Sequence, residues 1–489
     1  MIHFRPYTHI VMYLALGAIG GAWLPTACDA GTENRSTKSS DGDTPPNVVF
    51  ILADDLGYTG LSCMGSHYYE TPHIDRLARE GMTLTSFYAN PNCAPTRACL
   101  MTGQYAPRTG IYTVGEPPRG RAEHRRMILP SNQTRLPLDR TTLGQVFGSA
   151  GYATAMFGKW HLGNDGKADP GTVDAYHPAR RGFDEAFITR ARYFEFRTNP
   201  PMPIPEGAYL TDFLTDHAVD FIERHKDRPF FLYLPHFAIH TPLQAKTELI
   251  ARFEAKPGVG GHNNPVYAAM TASLDESVGR ILATLDRLGL ADRTLVVFAS
   301  DNGGVGGYTA AGVSGAQDLT DNAPLRGGKG MLYEGGVRVP CLVRYPPLVR
   351  AGTVSDVPAS HVDWMPTFLE LSGARRPDQP LDGVSLLPLL SDPAAELPRD
   401  ALFWHFPFYL EASVADGTWR TAPAGAIRLG DFKLIEFFET GRLELYNLRQ
   451  DIGERRNLAE ILPERTRELH SRLVAWRESL DAPMPKSKD

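Results

Sequence analysis

A chain of 489 residues is too long for one core of ordinary size and leaves room for a large domain with a smaller one beside it. With 42% hydrophobic and 22% charged residues it has the composition of a globular enzyme, which excludes disorder over most of its length. Its formal net charge of −6 argues against a nucleic-acid binder, whose affinity comes from neutralising phosphates, while local basic clusters can still bind a small anion.

The chain opens with MIHFRPYTHIVMYLALGAIGGAWLPTACDAG: a weakly basic start (Arg5), an apolar run from about Ile10 to Leu24, and small residues before Cys28. A run this short, ending in small residues, reads as a secretion signal over residues 1–30 rather than a membrane anchor. No later stretch is long and apolar enough to span a bilayer. Residues 31–46 are polar and read as a linker. Two fates are open for Cys28: plain cleavage after the small residues, or a lipid anchor tethered by the linker, against which Pro25 counts. Either way the chain is expected to be exported, to the periplasm, the outer surface or the medium.

From residue 47 strands and helices alternate. NVVFILADDLGYTG reads as a buried parallel strand delivering Asp54 and Asp55 to its carboxyl end, where α/β folds carry their chemistry. HIDRLAREGMTLTSFYA follows as a helix and a strand. TTLGQVFGSAGYATAMFGKWHLG repeats the unit, with its strand ending at Lys159 and His161. PFFLYLPHFAIHTP carries His236 and His240 just past a strand, and VYAAMTASLDESVGRILATLDRLG is a long amphipathic helix. DRTLVVFASDNGG is the next buried strand, ending at Asp301 and Asn302, and VPCLVRYP and HVDWMPTFLELSG continue the pattern. The expected fold is a three-layer α/β/α doubly wound sheet over residues 47–390. From about residue 391 the texture changes: AIRLGDFKLIEFFETGRLELYNL reads as antiparallel hairpins and PERTRELHSRLVAWRESL as a closing helix. Residues 391–489 are expected as a smaller α+β domain.

The strand ends collect oxygen ligands. Asp54 with Asp55, and Asp301 with Asn302, each follow an apolar strand and each precede glycine. Either pair alone could be a helix cap. Together they favour a site for a hard divalent cation, calcium or magnesium, since zinc prefers nitrogen or sulfur. PNCAPTRACLMTGQY, residues 91–105, sets a thiol, Cys93, between prolines, with Arg97 four residues on. Apart from Cys28 there are Cys63, Cys93, Cys99 and Cys341, too few for a disulfide framework. Cys63, Cys99 and Cys341 are expected to be small buried residues. Cys93 in a cation site would be a soft ligand facing a hard ion, a conflict that disappears if its side chain becomes an oxygen species.

CAPTR resembles the C-x-P-x-R signature of the type I sulfatases, the arylsulfatase-type members of the alkaline phosphatase-like superfamily, whose cysteine a maturation enzyme oxidises to formylglycine. ILADDLGY, GKWHLG, HFAIHTP, SDNGG, PLRGGKGMLYEGGVRVP, HVDWMPTFLELSG and LELYNLRQDIGERRNLAE resemble blocks of that family in the family's order, over roughly residues 47 to 460. The resemblance implies one calcium ion held by Asp54, Asp55, Asp301, Asn302 and the modified Cys93. It implies that Arg97 supports the formylglycine and that Lys159, His161, His240 and Lys329 line a sulfate pocket. The implied chemistry is attack on sulfur by a hydroxyl of the hydrated aldehyde, with His240 or Lys329 protonating the departing alcohol and His161 accepting a proton afterwards. Fixed cations and the metal would stabilise the charge that develops on the sulfate oxygens.

Other residues have plainer readings. His361 and Asp363 read as the start of a helix with Asp as its cap, and His236 as packing or support. RGRAEHRRM, residues 119–127, is a solvated basic loop that could also steer anionic substrates. DNGGVGGYTAAGVSG lacks the spacing of a nucleotide loop. In FWHFPFY, His405 resembles part of a substrate-recognition loop of carbohydrate-active sulfatases, with core packing an equal alternative. The expected function is hydrolysis of sulfate esters of carbohydrates, with galactose or N-acetylgalactosamine sulfates the nearest candidates. A phosphatase or phosphodiesterase on the same scaffold would show a Ser or Thr nucleophile and His-rich zinc ligands. An inactive, secreted glycan-binding relative would lack some of these site residues, and none is lacking.

Overall fold

The run NVVFILA forms a strand, Asn47–Ala53, in which every residue is buried. Side chains alternate across a sheet, so an unbroken apolar run requires cover on both faces. Val49, Ile51 and Ala53 enter one apolar cluster with Leu77, Phe213, Leu214, Leu274 and Leu285, which come from the helices Pro72–Glu80, Leu210–Arg224 and Pro265–Arg287. Val48, Phe50 and Leu52 enter another with Leu100, Phe147, Trp364 and Phe368, from Cys93–Thr102, Leu143–Ser149 and Trp364–Ser372. Each large apolar side chain withdrawn from water contributes about 1.5–3 kcal/mol. Those two clusters are the mortar of a three-layer α/β/α architecture. The computed structural model describes residues 45–116, 120–163, 172–189, 191–414 and 417–488. The expected signal segment, Cys28 and all but the end of the linker lie outside these residues. Among the described residues no helix is long and apolar enough to cross a membrane.

The central sheet has nine strands in the order Thr353–Ser355, Met82–Leu84, Cys341–Arg344, Thr294–Ser300, Asn47–Ala53, Phe230–Pro235, Ala153–Gly158, Glu185–Thr189 and Thr198–Asn199. The five from Thr294–Ser300 to Glu185–Thr189 are mutually parallel. Beyond them the pattern changes. Cys341–Arg344, expected to continue it, runs antiparallel to both of its neighbours, and Thr198–Asn199 is antiparallel to Glu185–Thr189. A parallel neighbour needs a crossover back to the starting edge, usually through a helix. Between Ser300 and Cys341 the chain has only the four-residue helix Glu334–Val337, so it returns from the carboxyl edge and the next strand points the other way.

Past the short helix Leu387–Ser391 comes a four-stranded antiparallel sheet, ordered Ala401–Phe406, Ala424–Leu429, Phe432–Phe437, Arg442–Asn447. Gly430, at φ 58°, makes the tight reversal between Leu429 and Phe432, a left-handed conformation that glycine adopts without steric cost. Leu469 and Leu473 of the helix Pro463–Ser479 pack on Ile427, Leu434 and Leu445 on one face. Trp404, Phe406, Ala426 and Ile435 pack on Tyr88, Tyr112, Leu332 and Val337 on the other. Both sheets belong to one packed unit, Thr44–Asp489.

Candidate active site

Adjacent parallel strands hand their residues to one edge. Asn47–Ala53 and Thr294–Ser300 pair from Asn47 with Thr294 through Ala53 with Ser300, so Asp54 and Asp301 leave the sheet at the same level. On the other side Leu52 pairs with Pro235, and Met156 with Tyr233, which brings the loops carrying His240 and Lys159 to that level too. Asp55 and His161 turn off their strands at φ 64° and 63°. For residues with a Cβ that conformation costs about 1 kcal/mol or more, a strain the surrounding packing has to hold in place. Behind Asn302 the chain is crowded: a Cβ on Gly303 would lie 1.8 Å from the carbonyl oxygen of Gly335.

Cys93 is the first residue of the helix Cys93–Thr102. Asn92 caps that helix, its Oδ1 accepting from the Cys93 amide at 2.9 Å, while its Nδ2 donates to Thr113 Oγ1 at 3.1 Å. Pro95 sits in the first turn, where an amide hydrogen would have no helical partner anyway. Cys93 and Arg97 are four residues apart and therefore share a helix face. The C-x-P-x-R spacing thus delivers a thiol at a helix N-terminus, which favours negative charge, and an arginine directly below it.

Arg97, wholly buried, donates through Nε and Nη2 to Asp301 Oδ2 at 2.9 and 2.7 Å, and through Nη2 to Asp54 Oδ2 at 3.3 Å. Lys159 pairs with Asp54, and its Nζ lies 3.7 Å from Cys93 Sγ. Lys329 Nζ donates to Asp55 Oδ1 at 2.6 Å, Asn302 Nδ2 donates to the same oxygen at 2.8 Å, and His240 Nε2 stands 3.7 Å from Asp55 Oδ2. Burial alone would raise the carboxyl pKa values of Asp54 and Asp55, but Lys159 and His240 at the first, and Lys329 and His240 at the second, hold both below the usual range. Asp301 has no such surplus: burial and the neighbouring charge of Asp54 push it up to about 6. Burial, with Lys159 beside each ring, holds His161 and His240 below the ordinary imidazole value. Burial also pushes the Cys93 thiol up to about 12, which keeps it protonated at neutral pH.

The arrangement fits a hard cation. One donor atom from each of Asp54, Asp55, Cys93 and Asp301 lies within 4.8 Å of the others. Asp54 Oδ1 and Asn302 Oδ1 are buried without a hydrogen-bond partner among the described residues. Such an oxygen costs about 1–3 kcal/mol, which a cation would recover. Apart from the thiol every donor is oxygen.

A cavity of about 570 Å³ opens above the cluster, with Cys93, Lys159, His161, His240 and Lys329 in its lining. The size is that of a small-molecule site. Of the expected site residues only His405 is not brought here. It is buried between Tyr112 and Phe438, with Nε2 3.0 Å from the carbonyl oxygen of Pro483, and does not line the cavity. The packing alternative is the one that this burial matches, because a ring enclosed by aromatics cannot meet a ligand. His236 is also core, 3.1 Å from Ser277 Oγ, and Asp363 takes part in the cap at Ser360. Cys99 and Cys341 are buried, but Cys63 is exposed, in the one-turn helix Ser62–Met64, none of whose residues is buried. The sequence reading missed Asn92, Phe237, Glu411 and Arg420 in the cavity wall. Asn92 carried a signal, a capping residue just before the helix. Arg420 carried none.

The pattern of the family described as Sulfatase matches residues 46–374, and that of N-sulphoglucosamine sulphohydrolase, C-terminal, matches residues 328–479. A sulfatase of Formosa agariphila is 33% identical over 92% of this chain and 91% of its own length. The N-acetylgalactosamine-6-sulfatase of Homo sapiens is 34% identical over 72% of this chain and 67% of its own. Among solved structures, Ps i-CgsB in complex with k-i-k-neocarrahexaose superposes with a TM-score of 0.72 at 29% identity, covering 88% of this chain and 93% of that one.

Proposed function

From the premise that this chain belongs to the sulfatase family and is a sulfuric ester hydrolase, we propose that it removes sulfate from a sulfated carbohydrate, using a formylglycine made from Cys93 by a maturation enzyme and one calcium ion. The observation that carries the reading is the meeting of an oxygen-rich acidic cluster, Cys93 and two lysines at one cavity. The thiol supports it from the other direction. A cysteine kept protonated by burial is a weak nucleophile and a poor ligand for a hard ion, so it suits this site only after conversion to oxygen. The N-acetylgalactosamine-6-sulfatase among the relatives, and the neocarrahexaose bound to Ps i-CgsB, support N-acetylgalactosamine and galactose sulfates as the first substrates to try. The apolar leader supports export, with Cys28 as a candidate lipid-anchored residue.

In this reading Asp54, Asp55, Asp301 and Asn302 would hold the ion, and Arg97 keeps two of these carboxylates in register. When bound, the ion supplies Lewis-acid polarisation, and the hydrated formylglycine supplies the attacking hydroxyl. Lys159 and Lys329 bind the sulfate oxygens, where charge grows as the S–O bond breaks. Burial and Lys159 disfavour the His240 cation, and an entering anion raises its proton affinity. His240 or Lys329 then delivers the proton to the departing alcohol. His161, kept neutral by burial, Lys159 and Arg97, accepts a proton beside residue 93.

Sulfate release from a panel of sulfated mono- and disaccharides tests the activity. Peptide mass spectrometry across residue 93 tests the modification, which lowers the mass by about 18 Da as the thiol becomes an aldehyde, unlike the mass gains of ordinary thiol oxidation. A matured sample that released no sulfate from any ester would sink the reading.

A further inference from the structure

We propose that Arg420 forms a second anion subsite in the same cavity, one that takes an acidic group of the substrate other than the ester being cleaved. The group is a further sulfate or a sugar carboxylate, and the inference rests on the sulfatase reading above. Arg420 reaches the cavity from a two-stranded ribbon, Leu410–Ser413 paired with Thr418–Thr421, far along the chain from the strand-end residues. The pairing is irregular there. Leu410 lies opposite Thr421 and Glu411 opposite Trp419, which leaves Arg420 as an extra residue with no partner across the ribbon. Bulges of this kind re-aim a side chain and recur beside active sites.

Its stacking on Tyr308 and its passage beside Gly330 fix where the side chain goes. The Arg420 guanidinium lies 4.6 Å from the centroid of the Tyr308 ring, and Tyr308 donates its hydroxyl to the carbonyl oxygen of Lys329 at 2.9 Å. The stem passes beside Gly330: a Cβ built there would fall 3.8 Å from Arg420 Cδ. The guanidinium is thereby tied to the turn that carries Lys329, one of the cations proposed for the scissile sulfate. Yet Arg420 Nε is buried with no hydrogen-bond partner, and among the described residues no carboxylate forms an ion pair with Arg420. The wholly buried Arg97 is answered by Asp301 and Arg181 by three backbone carbonyls, and the half-buried Arg399 by Asp363. Glu411 also lines the cavity but forms no ion pair with Arg420. A partly desolvated fork of five donors beside lysines is unfavourable until an anion fills it, and a guanidinium matches the planar geometry of a carboxylate or the paired oxygens of a sulfate.

The test is selectivity. Wild type, Arg420→Gln and Arg420→Lys, each matured at residue 93 and of known Tm, are compared on an aryl sulfate, a hexose monosulfate, the corresponding hexose disulfate and a sulfated disaccharide containing a uronate. Wild type is expected to favour a doubly anionic sugar over the hexose monosulfate. Arg420→Gln should cut the kcat/KM ratio between those two by about 10- to 100-fold, chiefly through KM, and Arg420→Lys should restore part of it. Whichever doubly anionic probe shows the preference identifies the group. An unchanged ratio in Arg420→Gln, or a wild-type preference for the monosulfate, overturns the subsite and leaves the sulfatase reading standing. Should Arg420→Gln fail to fold, the same ratio in Arg420→Met, which also removes the charge, decides. A wild type inert on all four probes removes the sulfatase reading and this inference with it.

Discussion

The carboxylates at the strand ends and those where the two sheets meet are equally buried, yet the chain handles them in opposite ways. At the junction Lys433 Nζ lies 2.8 Å from Glu334 Oε1 and 3.0 Å from Glu454 Oε1, and all three residues are wholly enclosed. Arg338 and the Tyr88 hydroxyl complete Glu334 at 3.1 and 2.8 Å, and Glu454 Oε2 accepts from the Glu334 amide at 2.6 Å. These charges pair with one another, although Glu454 Oε1, within ion-pair distance of Lys433, makes no hydrogen bond, and none of them lines the cavity. The strand-end carboxylates also have cations, but two of those, Lys159 and Lys329, line the open cavity, and among the described residues Asp54 Oδ1 and Asn302 Oδ1 have no hydrogen-bond partner. A buried ionic cluster that closes on itself holds elements together; one that keeps capacity in reserve is built for a guest.

Removing one group from each cluster is the most direct way to break that contrast. Cys93→Ala is expected to lower sulfate release by about 10³-fold or more, since no other group in the cavity is placed to open the same route. In the unconverted, calcium-free chain its thermal midpoint should move little, because among the described residues Lys159, at 3.7 Å, is the one polar side-chain contact of the sulfur. Turnover near the wild-type rate would deny Cys93 its role. Lys433→Met should act the other way, with stability falling by about 3–5 kcal/mol in urea unfolding as two glutamates lose their shared cation, while turnover per folded molecule holds. If activity fell with stability intact, the junction would belong to the catalytic machinery after all. Calcium sharpens the comparison further. At about a hundred times its dissociation constant it should stabilise chelator-stripped protein by about 2.7 kcal/mol. Asp301→Asn should blunt the rise in Tm and Lys433→Met should not; a wild type indifferent to calcium would mean that the strand-end cluster is also self-contained.

The strand-end cluster was legible in the sequence because its carboxylates follow apolar strands, and parallel strands place their carboxyl ends side by side whatever the loops do. The direction of Cys341–Arg344 was not, since a short apolar strand looks the same either way and only the missing crossover helix decides. Nor did anything announce left-handed conformations at Asp55 and His161, where no glycine stands. The junction escaped because Glu334, Lys433 and Glu454 lie on three separate blocks, each of which reads alone as ordinary surface charge. His405 shows the converse. A histidine among aromatics suggests a ligand contact and a packed core equally well, and burial, which composition does not report, selects between them.

The smallest expected effect concerns how the junction stores its protons. Burial and the charge of Glu334 raise the carboxyl of Glu454 to about 7 in spite of Lys433, whereas Lys433, Arg338 and Arg428 overcome burial at Glu334 and hold it at about 2. The two glutamates therefore give slopes of opposite sign in different pH windows. Below its ordinary value of 4.5, Glu334 stays ionised in the folded chain while the unfolded chain takes up a proton, so stability is lost as pH falls from 4.5 toward 2. Above 4.5, Glu454 keeps its proton in the folded chain while the unfolded chain gives it up, so stability declines as pH rises toward 7 and then levels off. Glu454→Gln, which fixes the neutral form, should flatten that decline by about 1–2 kcal/mol between pH 5 and pH 8, over and above any constant cost of the amide. The quantity to compare is the difference between the wild-type and variant urea-unfolding curves at the two pH values. Equal slopes would mean that Lys433 ionises both glutamates, and that the junction is a plain ion triad rather than one sharing a proton.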